Sequence, residues 1–431
     1  MKKKIVVFLL LISTYLSAQH LGSFQDWNTW FIPSSNDFSL PKPENPKNEI
    51  KEVLNMQKNI AHQEMMRWNA GSPSYHWQNL MASLWTNGTN EGILANLLLG
   101  ISTYDATLTA WKIKNQYKRK RPFEVNIKVK TFGPKPTSPS YPCEYAVAAG
   151  TAVTIISHFF PEMADSVQRM AQQQMDSRIM SGFAFPSDTK AGFDLGKRIA
   201  QAEIEKTKGF LPKQAWDGKV PSDPKLWRGP YAAFPQGGQF TTVVLTNGSQ
   251  FRPLPPPDFE DEMQELRNFV PSQESQANAF YWNTQNFWLP ELNKRMFEYN
   301  FHLDPVLSAR IYAIASLGSY EGFVSCFDAK YAYWGIRPDQ YDPTYKPLLP
   351  TPPFPGYPSG HAAISSVMGE LYSYLFPLHK DFFLQKAKDA AESRFQGGIH
   401  FRSDNEVGLQ LGRKVAGAII ESLDKEVILF K

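Results

Sequence analysis

Slid along itself so that Lys114 falls on Lys330, an offset of 216 residues (114 to 330), this chain repeats. Arg121 then meets Arg337 and Pro122 meets Pro338. Tyr141-Pro142 meets Tyr357-Pro358, and Phe160-Pro161 meets Phe376-Pro377. Further on, Ser177-Arg178 meets Ser393-Arg394, Gly182 meets Gly398, Ser187-Asp188 meets Ser403-Asp404, and Leu195-Gly196 meets Leu411-Gly412. Identities in one order and without a gap over so long a stretch imply two similar structural units, each of which must bury its own apolar faces. The doubling predicts two bundles facing each other about a pseudo-two-fold axis.

The periodicity says what the units are made of. Ile50, Val53, Leu54, Met56 and Ile60, then Met65 and Met66, follow helical spacing from Pro46 to about Ala70. Further helices are expected over Trp77 to Lys114, Pro142 to Phe160, Pro161 to about Met180 and Thr189 to Lys206. They resume at about Glu260, again near Trp282 to Phe301, then at Pro305 to Tyr333, Pro358 to Phe376, Pro377 to about Arg394 and Asn405 to Lys425. Strand-like alternation is scarce, so the expected class is all-α with helical bundles. Residues 209–259 lack helical spacing and are dense in Pro, Gly and Trp, including the run FRPLPPPDFE from Phe251 to Glu260. They read as an ordered linker between a first bundle over 46–208 and a second over 260–431, with 19–45 an extended amino-terminal segment.

The first 18 residues have the plan of a signal peptide. Lys2, Lys3 and Lys4 form a basic start, Ile5 to Ile12 a short apolar run, and Leu16-Ser17-Ala18 a small-residue cleavage site. The expected address is secreted or periplasmic, with no membrane span in the remainder. A formal net charge of +4 is too small to argue for nucleic acid or a membrane surface. Cys143 and Cys326 allow one disulfide, and the absence of a CxxC pair argues against a cysteine zinc site. The oligomeric state stays open, a homo-oligomer included.

Chemistry concentrates in the second copy. It carries Lys330 and Arg337 in K-x6-R-P, Ser359, Gly360 and His361 in P-S-G-H, and Arg394 with His400 in S-R-x5-H. Seven residues apart, Lys330 and Arg337 are expected on one helical face, with Pro338 ending that helix. Pro358 is expected in a first helical turn, where Gly360 lets an anion approach the amides and Ser359 adds a hydroxyl. Arg394 suits a bidentate oxyanion contact. One imidazole can bind the central atom of a tetrahedral oxyanion while the other exchanges protons. Asp404, four residues after His400, is placed to orient it. The first copy keeps the cations but has Cys143, Glu144 and Tyr145 against Ser359, Gly360 and His361, and Ala184 against His400. It should be catalytically silent. Each motif alone is a weak signal, since a lone K-x6-R is usually a solvated face and a lone histidine usually structural, the reading here for His62, His76, His158, His302 and His379. The three together in order point to a site.

At these residues the chain resembles the vanadium-dependent haloperoxidases and their relatives, the type-2 phosphatidic acid phosphatases and bacterial class A acid phosphatases. The likeness is greater to the bacterial haloperoxidases, through PPFPGYPSGHAAISS, CFDAKYAYWGIRP, GGIHFRSDNEVGLQLGRK and FRPLPPP. The resemblance implies vanadate as cofactor and no haem. His400 would be the axial vanadium ligand and His361 the acid–base group. Lys330, Arg337, Ser359, Gly360 and Arg394 would hold the equatorial oxygens. Hydrogen peroxide and a halide would be substrates. The alternative is a phosphomonoesterase acting on small phosphate esters, with His400 as phosphorylated nucleophile. Phe354 resembles the chloroperoxidase pattern, and Phe327 stands where a tryptophan is common, so both are candidates for the halide pocket.

Overall fold

A computed structural model describes residues 26–33, 37–84, 89–284 and 287–426. The signal-peptide expectation lies outside them. Among the described residues the structure is helical, and the β pairing recorded there is one isolated bridge, Leu226 with Gly335. The helices are α1 (Pro46–Met56), α2 (His62–Asn69), α3 (Tyr75–Leu84), α4 (Asn90–Tyr117), α5 (Pro122–Val125), α6 (Glu144–Phe159), α7 (Ala164–Met180) and α8 (Pro186–Lys206). They continue as α9 (Glu260–Asn268), α10 (Gln273–Thr284), α11 (Trp288–Glu298), α12 (Pro305–Tyr333), α13 (Pro338–Tyr341), α14 (Gly360–Leu375), α15 (Lys380–Gln396) and α16 (Arg402–Asp424). The single helix expected over 46–70 is two helices, because the chain leaves helical geometry between Met56 and His62.

The chain divides into two compact units. Of the described residues, the first takes those from 26 to 208 together with 293–316, and the second takes 209–292 together with 317–426. The boundary after 208 falls where the sequence put it, but none falls at 260, and residues 293–316 join the first unit. The segment read as a linker belongs to the second unit, and the reason is visible in its hydrogen bonds.

In the first unit α4 is buried nearly all round, and Ala106, Ala110 and Ile113 pack with Ile32, Tyr141, Val147, Leu195 and Ile199. This helix has the length and hydropathy of a membrane span, against the expectation that none remained, but 94% of the apolar window is buried inside the protein. Apolar on every side, it is a core helix. A strap from Asn28 to Ile32 lies along it. Asn28 O accepts from the Tyr104 hydroxyl at 2.9 Å. The Asp105 carboxylate accepts three consecutive amides, Trp30 at 2.7 Å, Phe31 at 2.8 Å and Ile32 at 3.1 Å.

The second unit contains the same device. The Tyr320 hydroxyl donates to Thr241 O at 2.9 Å, and the Glu321 carboxylate accepts from Val243 N at 2.5 Å and Val244 N at 3.0 Å. Further along each strap, Tyr117 and Tyr141 donate to the carbonyls of Leu40 and Pro41, as Tyr333 and Tyr357 do to Pro253 and Leu254. Residues 240–258 are therefore to the second unit what 27–33 and 37–45 are to the first. Buried backbone amides need partners, and one carboxylate on each long helix supplies them.

The helical elements recur at the sequence offset: α6 with α14, α7 with α15, and α8 with α16 begin 216 residues apart (144 to 360, 164 to 380, 186 to 402). Phe259, Met263, Leu266, Ile336, Phe395 and Phe401 form one core cluster of the second unit. Cys143 and Cys326 are both buried and free, so the disulfide left open by the sequence is not formed.

Candidate functional site

The second unit brings Lys330, Arg337, Ser359, Gly360, His361, Arg394, His400 and Asp404 together at the amino-terminal end of α14. Lys330 lies in the last turn of α12, and Arg337 is not on that helix. The expectation of one shared face was wrong. The helix ends at Tyr333, Trp334 turns into the left-handed region (φ 52°) with its N–H on Lys330 O at 2.8 Å, and Gly335 pairs with Leu226. Arg337 is the residue capping α13, which Pro338 starts rather than stops, as its preset φ suits a first helical position. The expectation for Pro358 is corrected as well. It follows a cis peptide bond, α14 begins at Gly360, and Ser359 is the capping residue whose hydroxyl oxygen accepts from Ala362 N at 3.4 Å.

Lys330 is buried and donates to the carbonyls of Pro355 at 2.7 Å and Gly356 at 2.8 Å. Arg337 is equally buried. It donates from Nε to Phe354 O at 3.1 Å and from Nη1 to Ile399 O at 2.7 Å, while its Nη2 has no partner. Arg394 donates to Ala279 O at 2.9 Å and to the Asn283 side-chain oxygen at 3.2 Å. The Phe354 ring lies under two of these cations, with Lys330 Nζ at 5.1 Å and the Arg337 guanidinium at 5.2 Å. Phe327 packs on Phe354 at 5.4 Å and stacks on Phe323 at 4.2 Å.

His400 is reached by a reversal. Gly398, with φ 72°, takes the left-handed conformation that ends α15, and the chain returns so that His400 stands beside Arg337. Its Nδ1–H donates to Asp404 Oδ2 at 2.8 Å, and its Nε2 accepts from Arg337 Nη1 at 2.9 Å. The carboxylate thus fixes the tautomer that leaves the Nε2 lone pair facing the cations. Asp404 Oδ2 also accepts from Phe401 N at 3.2 Å, in the first turn of α16. His361, one residue into α14, lies 3.2 Å by Nε2 from Trp282 O. A Cβ built on Gly360 would touch only Lys330 Cε, at 3.8 Å, so the space before the α14 amides is open.

Charge is what distinguishes this cluster. Three cations gather around one carboxylate. Burial, with Arg337 next among the opposing influences, pushes Lys330 down to about 7, and burial pushes Arg337 and Arg394 down to about 10. Burial and the same cations hold His400 well below 6.5. Burial raises Asp404 to about 7 against the pull of Lys330 and Arg337. Surrounding protein, then Arg394, lowers His361, an effect that water moderates because the ring keeps accessible surface. Both imidazoles are therefore neutral at neutral pH.

The first unit shows the same frame with its charge satisfied. Lys114 donates to Pro139 O and Ser140 O, and Arg121 Nη1 to Phe183 O, as their counterparts do. Glu144, however, stands where Gly360 does. Its carboxylate lies 2.8 Å from Lys114 Nζ, 3.3 Å from Arg121 Nη2 and 3.8 Å from Arg178 Nη2. Ala184 fills the place of His400 and is buried.

The motifs did not reveal Asn283 or the Trp282 carbonyl, which hold Arg394 and His361. A signal existed. Trp68-Asn69 precedes them by 214 residues (68 to 282), and Asn69 accepts from Arg178 at 2.5 Å, but this pair has slipped from the main offset.

Residues 376–427 match the family model for the VCPO second helical-bundle domain. No curated protein matches by sequence. Among solved structures 17 chains match. One is a bacterial vanadium-dependent iodoperoxidase, at 20% identity and a TM-score of 0.57, covering 89% of this chain and 98% of its own. Others are an apo-type bacterial vanadium-dependent chloroperoxidase (13% identity, TM-score 0.58, 78% of this chain and 94% of that one) and a holo-type one (13%, 0.58, 91% and 100%). The chain has their fold.

Proposed function

We propose that this chain, with the fold of the bacterial vanadium-dependent haloperoxidases, is itself a vanadate-dependent haloperoxidase that oxidises halide with hydrogen peroxide. One observation carries the reading: Lys330, Arg337 and Arg394 are packed together without the carboxylate that neutralises the same cations in the first unit. Buried charge of this kind calls for an anion. The residues fit a tetrahedral oxyanion, since Arg337 Nη2 is left without a partner, the cradle at Gly360 is open, and the His400 Nε2 lone pair faces the cations.

Bound there, vanadate supplies a Lewis acid that activates peroxide without changing oxidation state. The protein's part follows from its own groups. Lys330, Arg337 and Arg394 would hold its oxygens, joined by the Ser359 hydroxyl proton and the amides that begin α14. His400 would offer Nε2, which here accepts from Arg337, as ligand while Asp404 holds its Nδ1 proton. His361, neutral and accessible, takes a proton on its free ring nitrogen and returns it. Phe354, with Phe327 packed on it, sets an apolar ring beside Lys330 and Arg337.

Purified protein loaded with orthovanadate should oxidise one or more of iodide, bromide and chloride in the presence of peroxide, and His400→Ala should abolish this. Vanadate-free protein given a phosphate monoester tests the other chemistry open to a nucleophilic His400. Steady phosphate release without halide oxidation would replace the peroxidase reading by the phosphatase one. Lys2 to Lys4, the apolar run after them and the small residues to Ala18 support export. An unprocessed amino terminus on protein from the native host would overturn that part.

A further inference from the structure

Glu144 is the first residue of α6 as Gly360 is of α14, and three buried cations surround it. Lys114, Arg121 and Arg178 correspond in sequence to Lys330, Arg337 and Arg394, and each comes within 3.8 Å of the Glu144 carboxylate. Arg121 Nη2 donates to this carboxylate at 3.3 Å, whereas Arg337 Nη2, its counterpart, has no partner. Arg178 is held by Asn69 as Arg394 is by Asn283. Even the position at a helix start, where amide dipoles favour negative charge, is shared. Burial opposes ionisation of Glu144, yet Lys114, Arg121 and Arg178 hold it well below the usual carboxylate range.

We propose that the first unit retains a closed oxyanion site in which the Glu144 carboxylate is the resident anion, so that removing this side chain opens a second binding site for a tetrahedral oxyanion. The ligand class is phosphate or vanadate. The proposal rests on reading Lys330, Arg337 and Arg394 as oxyanion ligands. The side chain of Glu144, beyond its Cα, vacates as many non-hydrogen atoms as a phosphate contains, and it vacates them among donors already aimed at an anion. The first unit is silent for two separable reasons. Its anion position is filled, and Ala184 and Tyr145 stand where the imidazoles of His400 and His361 would have to be. The Tyr145 hydroxyl donates to Gly71 O at 2.9 Å, and its ring lies 3.9 Å from the Arg178 guanidinium, so it serves the cation and not a proton transfer.

The test counts bound anion. Full-length wild type and Glu144→Gly are compared by equilibrium dialysis against labelled phosphate and against vanadate. The expected result is one more anion per chain in the variant, whatever the wild type binds. The readout is the increment, so a wild type that binds none refutes the proposed function without touching this proposal. The variant's melting temperature should also rise with phosphate concentration more steeply than that of the wild type. Glu144→Gln, which removes the charge but keeps the bulk, should be destabilised without gaining a bound anion. A folded Glu144→Gly chain with unchanged anion stoichiometry overturns the proposal. So does a variant that fails to fold in saturating phosphate, because that anion restores the charge the substitution removed.

Discussion

Placing a carboxylate at Gly360 should stabilise the vanadate-free protein and close its site. The backbone accepts the change, since Gly360 is not in the left-handed region and a Cβ there has only the Lys330 Cε as neighbour, at 3.8 Å. Burial more than any neighbouring charge lowers Lys330 from 10.5 to about 7, so its charge is disfavoured where it stands. At about 1.4 kcal/mol per pH unit that is on the order of 5 kcal/mol for a fully buried group. A glutamate that recovers roughly half of it raises Tm by about 5–10 °C in a unit of this size. The same carboxylate opposes an incoming oxyanion. A like charge about 4 Å away at an effective dielectric constant of about 20 costs roughly 4 kcal/mol, close to a thousandfold in affinity. Thermal melting of vanadate-free Gly360→Glu and a vanadate titration read both effects. A lowered Tm, or vanadate bound with wild-type affinity by a folded variant, would refute the argument that charge deficit defines this site.

Three further results are expected. Asp404→Asn should weaken vanadate binding about 10- to 100-fold, because His400 loses the carboxylate that fixes its tautomer and raises its basicity; titration of the folded variant checks this. Asn283→Ala should cost about 1–1.5 kcal/mol of oxyanion affinity, near tenfold, by releasing one arm of Arg394 while Ala279 O keeps the other, and isothermal calorimetry measures it. For Lys330 the folded pKa lies below the unfolded one, so between about 7 and 10.5 the unfolded chain binds the extra proton and vanadate-free stability rises with pH across that window. Anion binding needs Lys330 charged. Affinity for sulfate, which does not titrate here, should therefore fall up to about tenfold per pH unit above about 7, with proton uptake visible in buffers of different ionisation enthalpy. A flat profile would mean that Lys330 stays protonated without the anion.

The sequence disclosed the groups of this site better than their placement. K-x6-R-P, P-S-G-H and S-R-x5-H name every cation and imidazole in it, because chemistry ties residue types to short spacings. Yet Lys330 and Arg337 proved to lie on different elements. Helical spacing is a statement about an unbroken helix, and Trp334, in the left-handed region just past Tyr333, breaks it with no Gly or Pro at its own position to announce the turn. The strap over 240–258 escaped notice for a different reason. Its hydrogen bonds run to Tyr320, Glu321, Tyr333 and Tyr357, far along the chain, and an extended segment held by partners of that kind has no periodicity of its own. Against the first unit it aligns three residues off the main offset (28 to 241), so a single ungapped slide leaves it unmatched.

The two units together separate what the frame needs from what the anion needs. Lys114 and Lys330 each donate to two carbonyls of the segment before a helix, and Arg121 and Arg337 each donate to the carbonyl that follows the glycine turn, so these cations organise backbone in both places. Glu144 shows that a cluster of this kind can satisfy its charge from within. The second unit forgoes that carboxylate, and Asp404 turns to His400 where Asp188 pairs with Arg119. A fold held only for stability would gain by neutralising three buried cations, since an uncompensated buried charge costs several kcal/mol. That the deficit falls where two neutral imidazoles and an open helix start converge is what the proposed oxyanion site requires, the missing charge being the one its ligand would bring.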